Sequence, residues 1–280
     1  MKKYSLFIII CATTMLSITL GGCDIIDPPY KQQVGQGGTA DRKVLLEDFT
    51  GHTCVNCPTA ALLGQNLKNF YGNRLILMAV HAGYFARPQS APFNADYRSQ
   101  AGEAWDQFFN ISANGNPNAL INRQRNNTFW HFPPGSWSTK LAEVMQGEAP
   151  ARIELTTNYN TTSRQLGISA KTTFLTALQG NYILQVCLVE DSLVSAQRNN
   201  DPNAGATPVI ENYVHRHVLR EAVNGIWGDQ ILSNPQTGNS ATKTYQLTLP
   251  QAYRHQHCSV VVFVYDAETY EILQVEEKHL

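Results

Sequence analysis

From Lys43 onward the hydrophobic positions fall into two regimes, and each predicts a different kind of element. Lys43-Val44-Leu45-Leu46-Glu47-Asp48-Phe49 reads as a short buried strand. Ala60, Leu63, Leu67 and Phe70 then recur at helical spacing from Pro58 on, and Gly72-Asn73 closes that helix. Leu75 to Val80 is a continuous apolar run, as expected of a strand covered on both faces. These three make a β-α-β unit with a right-handed crossover. A polar stretch, Tyr84 to Ala95, leads to a second helical pattern carrying Tyr97, Ala101, Trp105 and Phe108. Asn114-Gly115-Asn116-Pro117 then turns the chain into a strand at 118–122, and a last helix runs from Trp137 to Met145. After Gly147-Glu148-Ala149-Pro150 the period becomes two. Ile153/Leu155, Leu166/Ile168/Ala170, Tyr182/Leu184/Val186/Leu188, Tyr245/Leu247/Leu249 and Val261/Phe263/Tyr265 alternate with mostly polar neighbours. The expectation is an α/β domain over 43–149 followed by an all-β antiparallel sandwich domain over 150–280.

The N-terminus has another pattern. Lys2-Lys3 precedes an apolar run from Phe7 to Leu20, which suits an export signal and is short for a transmembrane span. Leu20-Gly21-Gly22-Cys23 resembles the bacterial lipobox. That resemblance implies a signal peptide over 1–22 and a mature chain starting at an acylated Cys23, so that the membrane is a partner through its lipid. Residues 23–42, rich in Pro, Gly and polar side chains, read as a flexible tether. Asp24 resembles an inner-membrane retention signal of enteric bacteria, whereas in the Bacteroides–Porphyromonas group acidic residues at that place accompany surface export.

Composition narrows the function classes. The chain is 43% hydrophobic and 15% charged with a net charge of -1, and it becomes more acidic once Lys2 and Lys3 leave. No basic field is available for nucleic acid. Of six cysteines, Cys54, Cys57, Cys187 and Cys258 remain after Cys11 and Cys23 are assigned to the signal and the lipid. All four would sit in an oxidising compartment, where disulfides persist. Cys187 and Cys258 lie inside apolar runs and are either bridged or inert buried thiols, with the inert reading favoured.

The chemistry concentrates in Glu47-Asp48-Phe49-Thr50-Gly51-His52-Thr53-Cys54-Val55-Asn56-Cys57-Pro58. A C-x-x-C between a strand and a helix start puts a thiolate at the positive end of a helix dipole, which lowers its pKa. This segment resembles the thioredoxin fold, with Asp48-Phe49 at the family's offset before Cys54. The resemblance implies that Cys54 is the nucleophile, Cys57 the resolving thiol and Asp48 a buried proton relay. It also implies that Asn116-Pro117 carries a cis peptide bond that contacts substrate backbone. The family's Trp before the first cysteine is Thr53 here, and its Gly-Pro is Val55-Asn56. A permanent disulfide remains the alternative for the cysteine pair, as does a solvated carboxylate for Asp48. A metal completed by His52 or His81 lacks the rest of a four-ligand pattern, so neither metal nor cofactor is expected. His215-Arg216-His217 and His255-Gln256-His257 would each project two imidazoles to one face if they lay on strands.

Taken in order, the lipobox, the tether, Val44 to Pro58 and Tyr213-Val214-His215-Arg216-His217-Val218-Leu219-Arg220 resemble the Omp28-type outer-membrane lipoprotein family of Bacteroidetes. That resemblance implies a lipid-anchored outer-membrane protein, facing the periplasm or the cell surface, with a thioredoxin-like domain joined to a β domain. Two functions follow. One is thiol–disulfide exchange with exported or surface proteins as substrates. The other is a surface adhesin, receptor or binding protein, with the 198–208 loop in its working surface and Cys54–Cys57 as a structural disulfide.

Overall fold

Every residue from Val44 to Thr50 is buried, and this strand, β1, is the one from which the site is built. In the computed structural model, residues 42–280 are described; the signal segment, Cys23 and the tether up to residue 41 lie outside the described residues. β1 runs parallel to β2 (Leu75–His81) and antiparallel to β3 (Asn118–Ile121). Between β1 and β2 the chain crosses as helix α1 (Cys57–Tyr71). Gly72 ends α1 at φ +60°, a conformation that favours glycine, and its N–H returns to the Lys68 carbonyl. Helix α2 (Gln100–Phe109) is capped by Ser99, whose hydroxyl accepts from the Gly102 N–H at 3.0 Å. Helix α3 (Pro134–Val144) completes this half.

The second half is all strand: β4 (Ala151–Asn160), β5 (Gln165–Phe174), β6 (Asn181–Glu190), β7 (Leu193–Arg198), β8 (Val209–His215), β9 (Val218–Ala222), β10 (Asp229–Ser233), β11 (Ser240–Thr248), β12 (Cys258–Asp266) and β13 (Ile272–His279). β11, β5 and β4 form an antiparallel three-stranded sheet, and β7 and β8 form a hairpin. The others join the first half in one mixed sheet, ordered β13-β12-β6-β9-β2-β1-β3, with β10 paired to β6. The joint is narrow. Ala79 of β2 pairs with Val218 of β9, and its N–H donates to the His217 carbonyl at 2.8 Å.

Strand alternation divides the packing between the two faces of this sheet. On one face Leu45, Met78, Val80, Val261 and Phe263 pack with Trp105 and Phe109 of α2. On the other, Val44, Leu46 and Leu77 meet Ala60 of α1 and Trp137 and Leu141 of α3. Further along that face, Val186, Leu188, Val260 and Val262 meet Ile153, Leu166, Ile168 and Phe174 of the three-stranded sheet.

Among the described residues the fold is thus mostly β with three α-helices, a mixed sheet and antiparallel sheets. Ala149 separates α3 from β4 along the chain, yet strands from both sides of it share the large sheet. The physical reason lies in β12, where Val260, Val262 and Val264 are as buried as Val261, Phe263 and Tyr265. A strand apolar on both faces belongs in the middle of a covered sheet rather than on one leaf of an isolated sandwich.

Candidate functional site

Cys54 and Cys57 are joined by a disulfide with Cα atoms 5.4 Å apart, at the point where β1 gives way to α1. Cys57 is the first residue of the helix. Pro58 therefore falls in the first turn, where its missing N–H costs no intrahelical bond. Gly51 allows the loop to pass close to a neighbouring segment, since a Cβ there would stand 2.3 Å from the Phe85 backbone carbon. The Thr53 N–H and hydroxyl both donate to the Phe85 carbonyl, at 3.1 and 2.9 Å.

The second half covers this loop. The Gln197 amide donates to the carbonyls of Cys54 and Gly51, at 2.9 and 3.3 Å. The Arg198 N–H donates to the His52 carbonyl at 2.9 Å, and the Asn200 N–H to the Val55 carbonyl at 3.1 Å. Asn200 also donates through its side chain to Asn56 at 2.7 Å, and the Thr59 hydroxyl donates to Asp201 at 3.0 Å. The 198–208 loop is held in this position by Asn199, whose buried amide donates to the carbonyls of Asp201, Gly205 and Ala206. Cys54 and Cys57 are each only 2% exposed as a result.

Beside Cys57 is a small cavity whose polar lining is Asp48, Thr50, His81, Gln197, Tyr213, His215 and Arg216. Asp48 is 9% exposed, its Oδ1 has no hydrogen-bond partner, and burial pushes its carboxyl up to about 7. His81, His215 and Tyr97 meet at ring separations of 5.0–5.3 Å. Burial first, then the neighbouring His215, holds His81 well below the usual imidazole range. Burial and His52 take His215 down to about 3, and burial and Asp48 take Tyr213 up to about 12. His81, His215 and Tyr213 are neutral at pH 7 and Asp48 is about half ionised there, so beside the α1 dipole Arg216 is the cation of this cavity that could favour a thiolate.

The depressed imidazoles carry an expected pH effect. An unfolded histidine takes up its proton near 6.5 while folded His215 resists down to about 3, so stability is full above pH 6.5 and declines as pH falls towards 3. Urea midpoints measured from pH 7 to pH 4 should drop less steeply in His215→Gln than in the parent chain; parallel curves would show that His215 does not titrate as placed.

Among the sequence-predicted residues, Cys54 and Cys57 are bonded and Asp48 shares a cavity with Cys57. The Asn116–Pro117 bond is cis, and because Asn118 pairs with Phe49, register places this turn at the end of β1 where the cysteine loop begins. Both polar side-chain atoms of Asn116 are buried without a partner. The two His-x-His pairs do not share a face as a strand would give: His215 ends β8, His217 has φ +52° and leaves the strand, and His255 to His257 form a 3-10 turn. Among the described residues no His, Cys, Asp and Glu side chains cluster as a metal site would need. Cys187 and Cys258 are free and buried, and burial raises both thiols. Gln197 carries no local sequence signal, and nothing in the sequence joins it to His81, Tyr97 and Tyr213, which the β7–β8 hairpin brings together.

Comparison with known proteins gives a fold match and a family. HBP35 of Porphyromonas gingivalis has a similar fold, with a TM-score of 0.61 and 18% identity, covering 87% of this chain and 77% of that one. A domain of the outer membrane lipoprotein Omp28 from the same organism is 24% identical over 47% of this chain and 88% of its own length, with a TM-score of 0.33. No curated protein matches the chain. The family model described as outer membrane protein Omp28 matches residues 103–280. This agrees with a location at the outer membrane; Cys23 itself lies outside the described residues. With more than half of its length matched, the chain belongs to the Omp28 family of outer-membrane proteins.

Proposed function

We propose that this Omp28-family lipoprotein is a binding protein of the outer membrane in which Cys54–Cys57 is a covered structural staple. One observation carries this reading: the 197–200 segment takes up the carbonyls of Gly51, His52, Cys54 and Val55 and leaves both cysteines 2% exposed. A partner disulfide must reach an attacking sulfur, and the chain's own backbone occupies the approach. The order β1-α1-β2, then β3 antiparallel to β1 behind a cis proline, then α3, supports a thioredoxin-like unit at residues 43–149. In this reading the unit serves as scaffold.

A second reading is favoured by one specific feature, the cavity that Asp48 shares with Cys57. Here the protein exchanges disulfides with exported or surface proteins. Cys54 attacks, Cys57 resolves, Asp48 relays the proton, and Asn116-Pro117 contacts substrate backbone. Insulin reduction with dithiothreitol as the electron source separates the two. The staple reading expects the parent chain and Cys54→Ser to be equally inactive above background. Turnover by the parent chain that Cys54→Ser abolishes would establish exchange instead. Replacing both cysteines by Ala should cost only about 2 kcal/mol, the chain-entropy value for so short a loop, and should leave the fold intact.

A further inference from the structure

A cleft of about 300 Å³ opens between α1 and the 203–217 segment, next to the cavity that holds Cys57, with which it shares Asp48, Tyr213 and Arg216. That size lies at the lower end of small-molecule sites, ~300–1,000 Å³. Its walls are largely apolar: Leu46 and Leu77 from the sheet, Leu62 from α1, Trp137 from α3, and Tyr213 and Val214 from β8. Gln65, Asn203 and three ionisable groups interrupt them. Asp48 and His217 line the cleft, and Asp48 Oδ1 and His217 Nε2 are buried without hydrogen-bond partners. Arg216, whose side chain is 56% exposed, stands at the mouth, with only a loose ion pair to Asp191 at 3.8 Å. Buried polar atoms are rarely left unpaired in a folded protein, so His217 Nε2 beside the Arg216 guanidinium on one apolar cleft points to a ligand that satisfies it.

We infer that this cleft binds a small apolar monocarboxylate, its hydrocarbon body between Leu62, Leu77 and Trp137 and its carboxylate at Arg216 and His217. The charge complementarity is local. Arg216 supplies a fork of donors suited to a carboxylate, and the walls exclude a larger polar molecule. A cleft of this size holds about ten waters' worth of liquid at ~30 Å³ each, which suits a body of one aromatic ring or a short alkyl chain. The inference rests on the binding-protein reading and names its ligand class.

The test uses the whole mature chain and 3-phenylpropionate as the probe, with 3-phenylpropionamide as the uncharged comparator. Titration calorimetry and backbone amide shifts should report saturable binding of the acid, with shifts at 61–65 and 213–217. Ala61→Phe, which projects a ring into the cleft, should weaken binding at least about tenfold. Arg216→Gln alters an exposed side chain and should weaken the acid several-fold while leaving the amide unchanged. No saturable binding by the parent chain, or equal binding by the parent and Arg216→Gln, would overturn the assignment. Insulin turnover in a chain that still binds the acid would remove the staple reading and leave the cleft assignment standing, so the two failures are distinguishable.

Discussion

Asp48→Asn should stabilise the protein at pH 8 by roughly 4 kcal/mol and should have little effect near pH 3. The folded carboxyl is raised from 3.8 to about 7 by burial alone. Below pH 3.8 both states hold the proton and the group contributes nothing to pH dependence. Between that value and about 7 the unfolded chain ionises while the folded one does not, so stability falls with rising pH by about 1.4 kcal/mol per unit. Above 7 the loss is complete and constant. His81 and His215 slope the other way at acid pH, so the informative quantity is the difference between parent and variant, which cancels them. Urea unfolding at pH 3, 5, 7 and 8 gives that difference directly. A gap that stays flat across the series would mean that Asp48 ionises as freely in the folded protein as in the unfolded one.

The second large effect lies on the opposite face of the same strand. Glu47 and Arg123, 0% and 1% exposed, form a bidentate pair, with Nε to Oε2 at 2.9 Å and Nη2 to Oε1 at 2.7 Å. Burial disfavours the guanidinium charge, but Glu47 outweighs it and holds Arg123 charged. The guanidinium also lies 4.7 Å from the Trp105 ring and 4.9 Å from the Phe263 ring, so it ties β1 to α2 and β12. Removing one partner strands a charge in the core and should cost about 3–5 kcal/mol, whether by Glu47→Leu or Arg123→Met. The double variant should recover most of that loss, because two apolar side chains leave nothing unpaired. A cycle of urea midpoints tests this; additive losses in the double variant would show that the two residues do not act as a pair.

How far the sequence revealed this molecule depends on the range over which each signal acts. The elements of the first half were readable because each is marked locally: the apolar run at Leu75, the helical spacing after Pro58, the stop at Gly72. The cysteine pair was readable because it sits between such elements, and the cis bond at Pro117 was expected from the resemblance to the thioredoxin fold. What escaped was whatever depends on distant segments meeting. β12 shows this best. Reading every second residue, Val261, Phe263 and Tyr265, suggests a one-sided strand, whereas Val260, Val262 and Val264 between them mark a strand covered on both sides. Glu47 carried no mark that set it apart from its neighbour Asp48, and nothing near Arg123 identified it as the partner. The Gln197–Asn200 cover had no signal either, since its bonds are made by main-chain groups and amides that any polar loop contains. The 198–208 loop, expected as part of a working surface, is held against the cysteine loop at its first residues.

The most direct measurement is the rate at which dithiothreitol reduces Cys54–Cys57 in the intact chain, read by thiol labelling and compared with the rate in urea. If the 197–200 segment shields the disulfide, reduction in native buffer is slower by orders of magnitude and accelerates in step with urea unfolding. Reduction in native buffer as fast as in the unfolded chain would contradict it, because a sulfur so readily reached is not covered.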